Sequence, residues 1–76
     1  MAVYNWTNRD GIYLLRIDHK RSMYIHRKTS GWCVRLVEDG RTVKNSWPYE
    51  VHSYARAAAE RMAVSLGWAE EADFRR

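Results

Sequence analysis

Apolar and polar positions alternate with a period of two from about residue 11 to residue 47, and the period lengthens to that of a helix after Val51. The stretch "GIYLLRIDH" (11–19) is rich in β-branched and aromatic residues and has the length of a strand. "SMYIHRK" (22–28) is a second strand, with Met23 and Ile25 on one side and Tyr24, His26 and Lys28 on the other. After the turn "TSG", the third strand "WCVRLVE" (32–38) alternates Trp32, Val34 and Leu36 with Cys33, Arg35 and Val37. Asp39-Gly40 is the strongest hairpin signal, because a two-residue primed turn requires φ > 0 at its centre. It leads into a fourth strand, "RTVKNSW" (41–47), closed by Pro48, which has no N–H for a ladder.

Val51, Tyr54, Ala55, Ala58, Met62 and Leu66 then fall at spacings of 3, 1, 3, 4 and 4, one face of a helix over 51–66. "ARAAAERMA" combines high helix propensity with small side chains, so the helix can lie close on a sheet. Gly67 is placed to be the left-handed residue after the helix, with Trp68 folding back toward Met62 and Ala63. Residues 1–10 form an irregular lead-in or short edge strand, and the tail at 69–76 has no distinct pattern.

The expected fold is α+β in a single domain: a four-stranded antiparallel meander, β-β-β-β-α, over residues 11–47, with one C-terminal helix on one face. Its expected core is Leu15, Ile17, Ile25, Trp32, Val34, Leu36, Val43, Tyr54, Ala58, Met62 and Leu66.

Length narrows this further. A chain of 76 residues buries only about 60% of its unfolded surface. Four Trp, five Tyr and one Phe therefore matter to its stability. One cysteine, Cys33, allows neither an internal disulfide nor a paired-cysteine metal site. With no signal-peptide pattern and no apolar run near the roughly 20 residues of a membrane span, the expected setting is cytoplasmic. In a phage-encoded protein that means the host cytoplasm.

The chemistry of an enzyme is hard to find. His19, His26 and His52 lack Cys or carboxylate partners at metal-ligand spacing. His19 and His26 facing each other across a hairpin would supply only two ligands. Ser22 and His26, four residues apart on one strand face, stand roughly 13 Å apart, too far for a nucleophile–base pair. There is no Gly-rich phosphate loop. The reading is a non-enzyme with no cofactor and no metal.

Binding is the better-supported class. The net charge is +4, from 13 basic and 9 acidic residues, and ten of the basic residues are Arg. Arg forms forked contacts with carboxylate or phosphate and stacks on rings. If Trp32, Val34 and Leu36 face the helix, the other side of the sheet presents Arg16, Tyr24, His26, Lys28, Arg35, Thr42, Lys44 and Ser46. Such a basic surface with an aromatic among the charges suits nucleic acid, although a solvated polar face is also usual for an antiparallel sheet. Among the tryptophans, Trp68 is expected to cap the helix, Trp47 to fill the sheet–helix corner and Trp6 to be exposed. Tyr4, Trp6 and Arg9 are a candidate contact cluster of the kind that dominates protein interfaces.

The segment "SGWCVRLVEDGRTVKNSWPYEVHSYARAAAERMA" (30–63) resembles the arm-type DNA-binding domains of phage integrases and the related AP2 domains. These set a three-stranded sheet in the major groove with a helix behind. The resemblance implies groove-facing roles for Arg35, Arg41 and Lys44. In length and layout the chain also looks like small phage-encoded inhibitors of the type I anti-CRISPR kind, single α+β domains without a catalytic set. That likeness accounts for the lack of a catalytic set, the many aromatics and the mixed charge, whereas the additional upstream strand departs from the integrase pattern. It implies a non-catalytic protein that blocks a surface of a protein or nucleoprotein machine, such as a CRISPR-Cas surveillance complex. The alternative is a DNA- or RNA-binding module. The candidate partner-binding residues are Trp6, Arg16, Tyr24, His26, Lys28, Arg35, Arg41 and Lys44, on a monomer or on a homodimer paired through the 41–47 edge.

Overall fold

Asp-Gly pairs shape two of the hairpins. Asp39 (φ 53°) and Gly40 (φ 78°) form the primed turn expected of them. Asp10 (φ 53°) and Gly11 (φ 83°) repeat it, with the Asn8 side-chain oxygen accepting from the Gly11 N–H at 3.1 Å. The second turn adds a strand ahead of those read from the alternation. In the computed structural model, which describes residues 4–74, the chain therefore has five strands where the pattern gave four. The first three residues of the lead-in, with Arg75 and Arg76 of the tail, lie outside the described residues.

The strands are β1 (Thr7–Arg9), β2 (Ile12–Arg16), β3 (Arg21–Lys28), β4 (Gly31–Glu38) and β5 (Arg41–Tyr49). They form one antiparallel sheet in the order β1-β2-β3-β4-β5. The helix α1 (His52–Ser65) follows, then a single 3₁₀ turn at Glu71–Phe74. Between β2 and β3 the Asp18 carboxylate accepts from the Lys20 and Arg21 N–H groups at 2.8 and 2.9 Å. The Lys20 bond leads in holding that carboxyl below its ordinary pKa of 3.8.

One sheet face is apolar and large: Leu15, Met23, Ile25, Val34 and Leu36 are fully buried. Against it lies a helix face that is apolar and small, Ala55, Ala59 and Ala63, with Trp68 closing the end. This differs from the expected helix face. Tyr54 is 62% exposed and Leu66 also points outward, while Met62 only borders the core. The physical reason is volume: the sheet side chains already fill the space, so the helix turns its alanines inward and approaches closely. Ile17 and Trp32 likewise pack at the margin of the core.

The end of α1 follows the sequence reading. The Trp68 N–H donates to the Ala63 carbonyl and the Gly67 N–H to the Val64 carbonyl, the two bonds of a Schellman motif, with Gly67 at φ 78°. Trp68 is buried as expected. Tyr4 is fastened to the 3₁₀ turn: its N–H donates to the Asp73 carbonyl at 3.0 Å, and the Tyr4 and Phe74 rings meet at 5.7 Å. Among the described residues, no helix is long and apolar enough to cross a membrane.

The edge strand β5 departs most from simple alternation. Leu36 pairs with Lys44 while Val37 pairs with Thr42, so Val43 is an additional, bulged residue. A second irregularity sets Trp47 and Pro48 between the pairs Trp32–Tyr49 and Val34–Ser46. The strand therefore continues through Pro48 to Tyr49, which an edge strand tolerates because its outer side has no ladder to break. Val43, expected in the core, is 47% exposed.

Candidate functional site

Alternation along four strands assembles the helix-free face, and the bulges in β5 complete it. Directly opposed residues share a face, so register defines one row running Thr7–Leu14–Tyr24–Arg35–Asn45 across all five strands. Beside it run Arg16, Ser22, Val37 and Thr42 on one flank, and His26 opposite Cys33 on the other. Arg9, paired with Ile12, adds a charge at the β1 edge.

Cations on this face are held against rings. The Arg35 guanidinium carbon lies 5.2 Å from the Tyr24 ring centre, and Lys28 Nζ lies 5.6 Å from that of Trp47. Such contacts restrain long side chains without neutralising them. His26 stands between Lys28 and Arg35. Partial burial, then those two charges, hold its pKa below the ordinary 6.5, which favours the neutral ring. Cys33, the free thiol, is covered at 3% exposure and supplies floor rather than reactivity. A shallow depression of ≈ 450 Å³ opens here, bounded by His26, Lys28, Arg35, Asn45 and Trp47.

Among the described residues, no Asp or Glu occupies a strand position on this face. Glu38, the only carboxylate in the described strands, lies two residues along β4 from Leu36 on the helix side, where it accepts from Arg21 Nε at 2.9 Å. Both partners are about one-third exposed, so this ion pair contributes at most about 1 kcal/mol.

Of the eight residues expected to bind a partner, Arg16, Tyr24, His26, Lys28 and Arg35 are brought together here. Three are not. Lys44 lies opposite Leu36, because the bulge at Val43 reverses the alternation, and Asn45 takes its place beside Arg35. Ser46 moves with it, opposite Val34 and bonded to the Tyr49 hydroxyl at 2.7 Å. Arg41 lies in register with Glu38 at the hairpin end, on the helix side. Trp6 is half-buried and donates its indole N–H to Glu60 on α1 at 3.0 Å. It is therefore a structural strut, and the expected cluster with Tyr4 and Arg9 does not form: Tyr4 packs on Phe74, while Arg9 sits on the open face.

Trp47 is the residue that sequence reasoning misplaced in the other direction. Expected in the sheet–helix corner, it is 54% exposed on the basic face. Nothing in a period-two pattern signals a bulge, although the adjoining Pro48 marks where regular pairing cannot continue.

The remaining histidines serve packing and a turn. His52, at the start of α1, packs on Tyr13 and Trp32 with ring centres 3.9 and 5.2 Å away, and its buried Nε2 has no hydrogen-bond partner. Burial and then Arg56 hold its pKa low, which fits a neutral packing ring. His19 lies in the turn after β2, away from His26, and no group of three potential metal ligands occurs among the described residues. No protein-family model matches this chain, and no match was found among curated proteins or solved structures.

Proposed function

We propose that this chain is a non-catalytic binding protein that acts by covering an anionic surface of a larger protein or nucleoprotein machine, and that its contact surface is the helix-free face of the sheet. The observation carrying this reading is the sign of that face: Arg9, Arg16, Lys28 and Arg35 share it with an exposed tryptophan and no strand carboxylate. A merely solvated face has no need to segregate charge by sign. Aromatic and Arg anchors on a small rigid sheet limit the entropy lost on docking. A phage inhibitor of host defence is the setting that this mode of action suits. A second reading, direct binding of nucleic acid, is favoured by the placing of Trp47 and Tyr24 among the cations.

The test is capture of partners from host lysate by the immobilised chain at about 150 mM salt. Trp47→Ala and Arg35→Ala should abolish capture, whereas Arg41→Ala and Lys44→Ala, off this face, should leave it intact. The reverse pattern would refute the assignment of the face.

A further inference from the structure

We infer that the occupant of the open face is an unpaired polynucleotide strand, its bases stacking at Trp47 and Tyr24 and its phosphates lying between Lys28, Arg35 and Arg16. This rests on the reading of that face as the contact surface, and the width of the face argues for it. Five strands span roughly 19 Å at a strand spacing of about 4.8 Å. The major groove of a duplex is about 12 Å wide and admits a helix or a sheet of two or three strands, about 10 Å across at most. A broad sheet cannot enter it, but a single strand can be laid across such a surface with its bases turned down onto aromatic rings.

The local chemistry agrees. An indole that is half exposed, with an ammonium 5.6 Å from its centre, offers a plane for a base and a charge for the adjoining phosphate. Tyr24 of β3 and Arg35 of β4 repeat that pairing at 5.2 Å. Beside them lies the ≈ 450 Å³ depression, with Cys33, Val34 and Arg35 of β4 among its lining. Asn45 and Thr42 at its margin donate and accept, so they meet the edge of any base without choosing among them. A polynucleotide strand answers the charges and the Trp47 plane together, phosphate to cation and base to ring. The contacts involve phosphates and base planes, which deoxyribo- and ribo-strands share.

The experiment is fluorescence anisotropy of the full chain with labelled oligo-dT and oligo-U of about 16 nucleotides, and with a duplex of equal length. The single strands should bind at least tenfold more tightly than the duplex. Lys28→Ala and Arg35→Ala should each lower the slope of log affinity against log salt by about 0.7. Trp47→Ala should weaken binding roughly five- to hundredfold, and Trp47→Phe should restore most of it. Thermal melts confirm folding, since an exposed ring can be removed without opening the core. Equal affinity for duplex and single strand, or unchanged binding by Trp47→Ala, would overturn the inference. If no strand binds at about 150 mM salt while the same variants abolish capture of a protein partner, the inference fails and the contact face stands. If the variants change neither strand binding nor capture, both fail.

Discussion

Trp6 donates its indole N–H to the Glu60 carboxylate at 3.0 Å, across 54 residues of sequence. The bond fastens the segment ahead of β1 to the helix on the far layer, so a tryptophan that reads as a surface anchor is part of the scaffold. Trp6→Phe removes the donor and keeps an aromatic ring, a smaller one, so some packing is lost as well. A hydrogen bond to a charged group contributes about 1.5–3 kcal/mol, and partial exposure puts this one near the lower end. Glu60→Gln, which retains an acceptor, should cost less. Urea unfolding of the two variants checks the order.

Gly31 and Gly40 both have positive φ but differ in their surroundings. A Cβ on Gly31 would stand 2.8 Å from the Tyr49 carbonyl oxygen and 3.0 Å from Pro48 Cβ, at φ 137°. A Cβ on Gly40, at φ 78°, meets nothing within 4 Å. Gly40→Ala should therefore cost about 1–2 kcal/mol for backbone strain alone. Gly31→Ala should cost more, with β5 pushed away from β4. Chemical denaturation ranks the two, and amide exchange along β5 reports the loosening.

Large-to-small substitutions test the bulge and the helix rotation. Met23→Ala and Leu36→Ala empty fully buried sites and should each cost about 2–5 kcal/mol, enough to unfold a chain this small. Val43→Ala, at a position the alternation assigns to the core, should stay within about 0.5 kcal/mol. Tyr54→Ala should also be mild, because its ring is exposed. A Val43→Ala cost comparable with that of Leu36→Ala would contradict the register of β5.

The two half-buried histidines make stability depend on pH. His52 and His26 both have native pKa values held below the ordinary 6.5, chiefly by burial, with Arg56 acting on the first and Lys28 and Arg35 on the second. As pH falls through 6.5 the unfolded chain binds protons that the native state refuses, so stability is full above that pH and declines toward and through the native pKa values. The melting temperature should fall between about pH 7.5 and pH 5. His52→Phe, which keeps a ring between Tyr13 and Trp32, should flatten the dependence. An unchanged slope in His52→Phe would mean that carboxylates or His26 carry the effect.

Much of this architecture is written locally. Asp39-Gly40 dictates its turn because few other residue pairs tolerate two positive φ values. Alternation through β2, β3 and β4 decides which residues face the helix, and five of the eight candidate contacts follow from that period alone. Gly67 and Trp68 end the helix by backbone geometry that a single glycine permits. The Asp10-Gly11 turn was equally readable, but its first strand, Thr-Asn-Arg, is too short and polar to show alternation. What sequence order could not convey depends on volumes and pairings between distant segments. The helix turns Ala55, Ala59 and Ala63 inward because Met23 and Leu36 already occupy the space. The extra residue at Val43 bulges from β5 where it pairs with β4, so Lys44 leaves the open face and Asn45 joins it. A second irregularity leaves Trp47 exposed beside Lys28, while Glu60 draws Trp6 inward. Period and turn chemistry are properties of neighbouring residues, whereas the make-up of the binding face is settled by packing across the whole sheet.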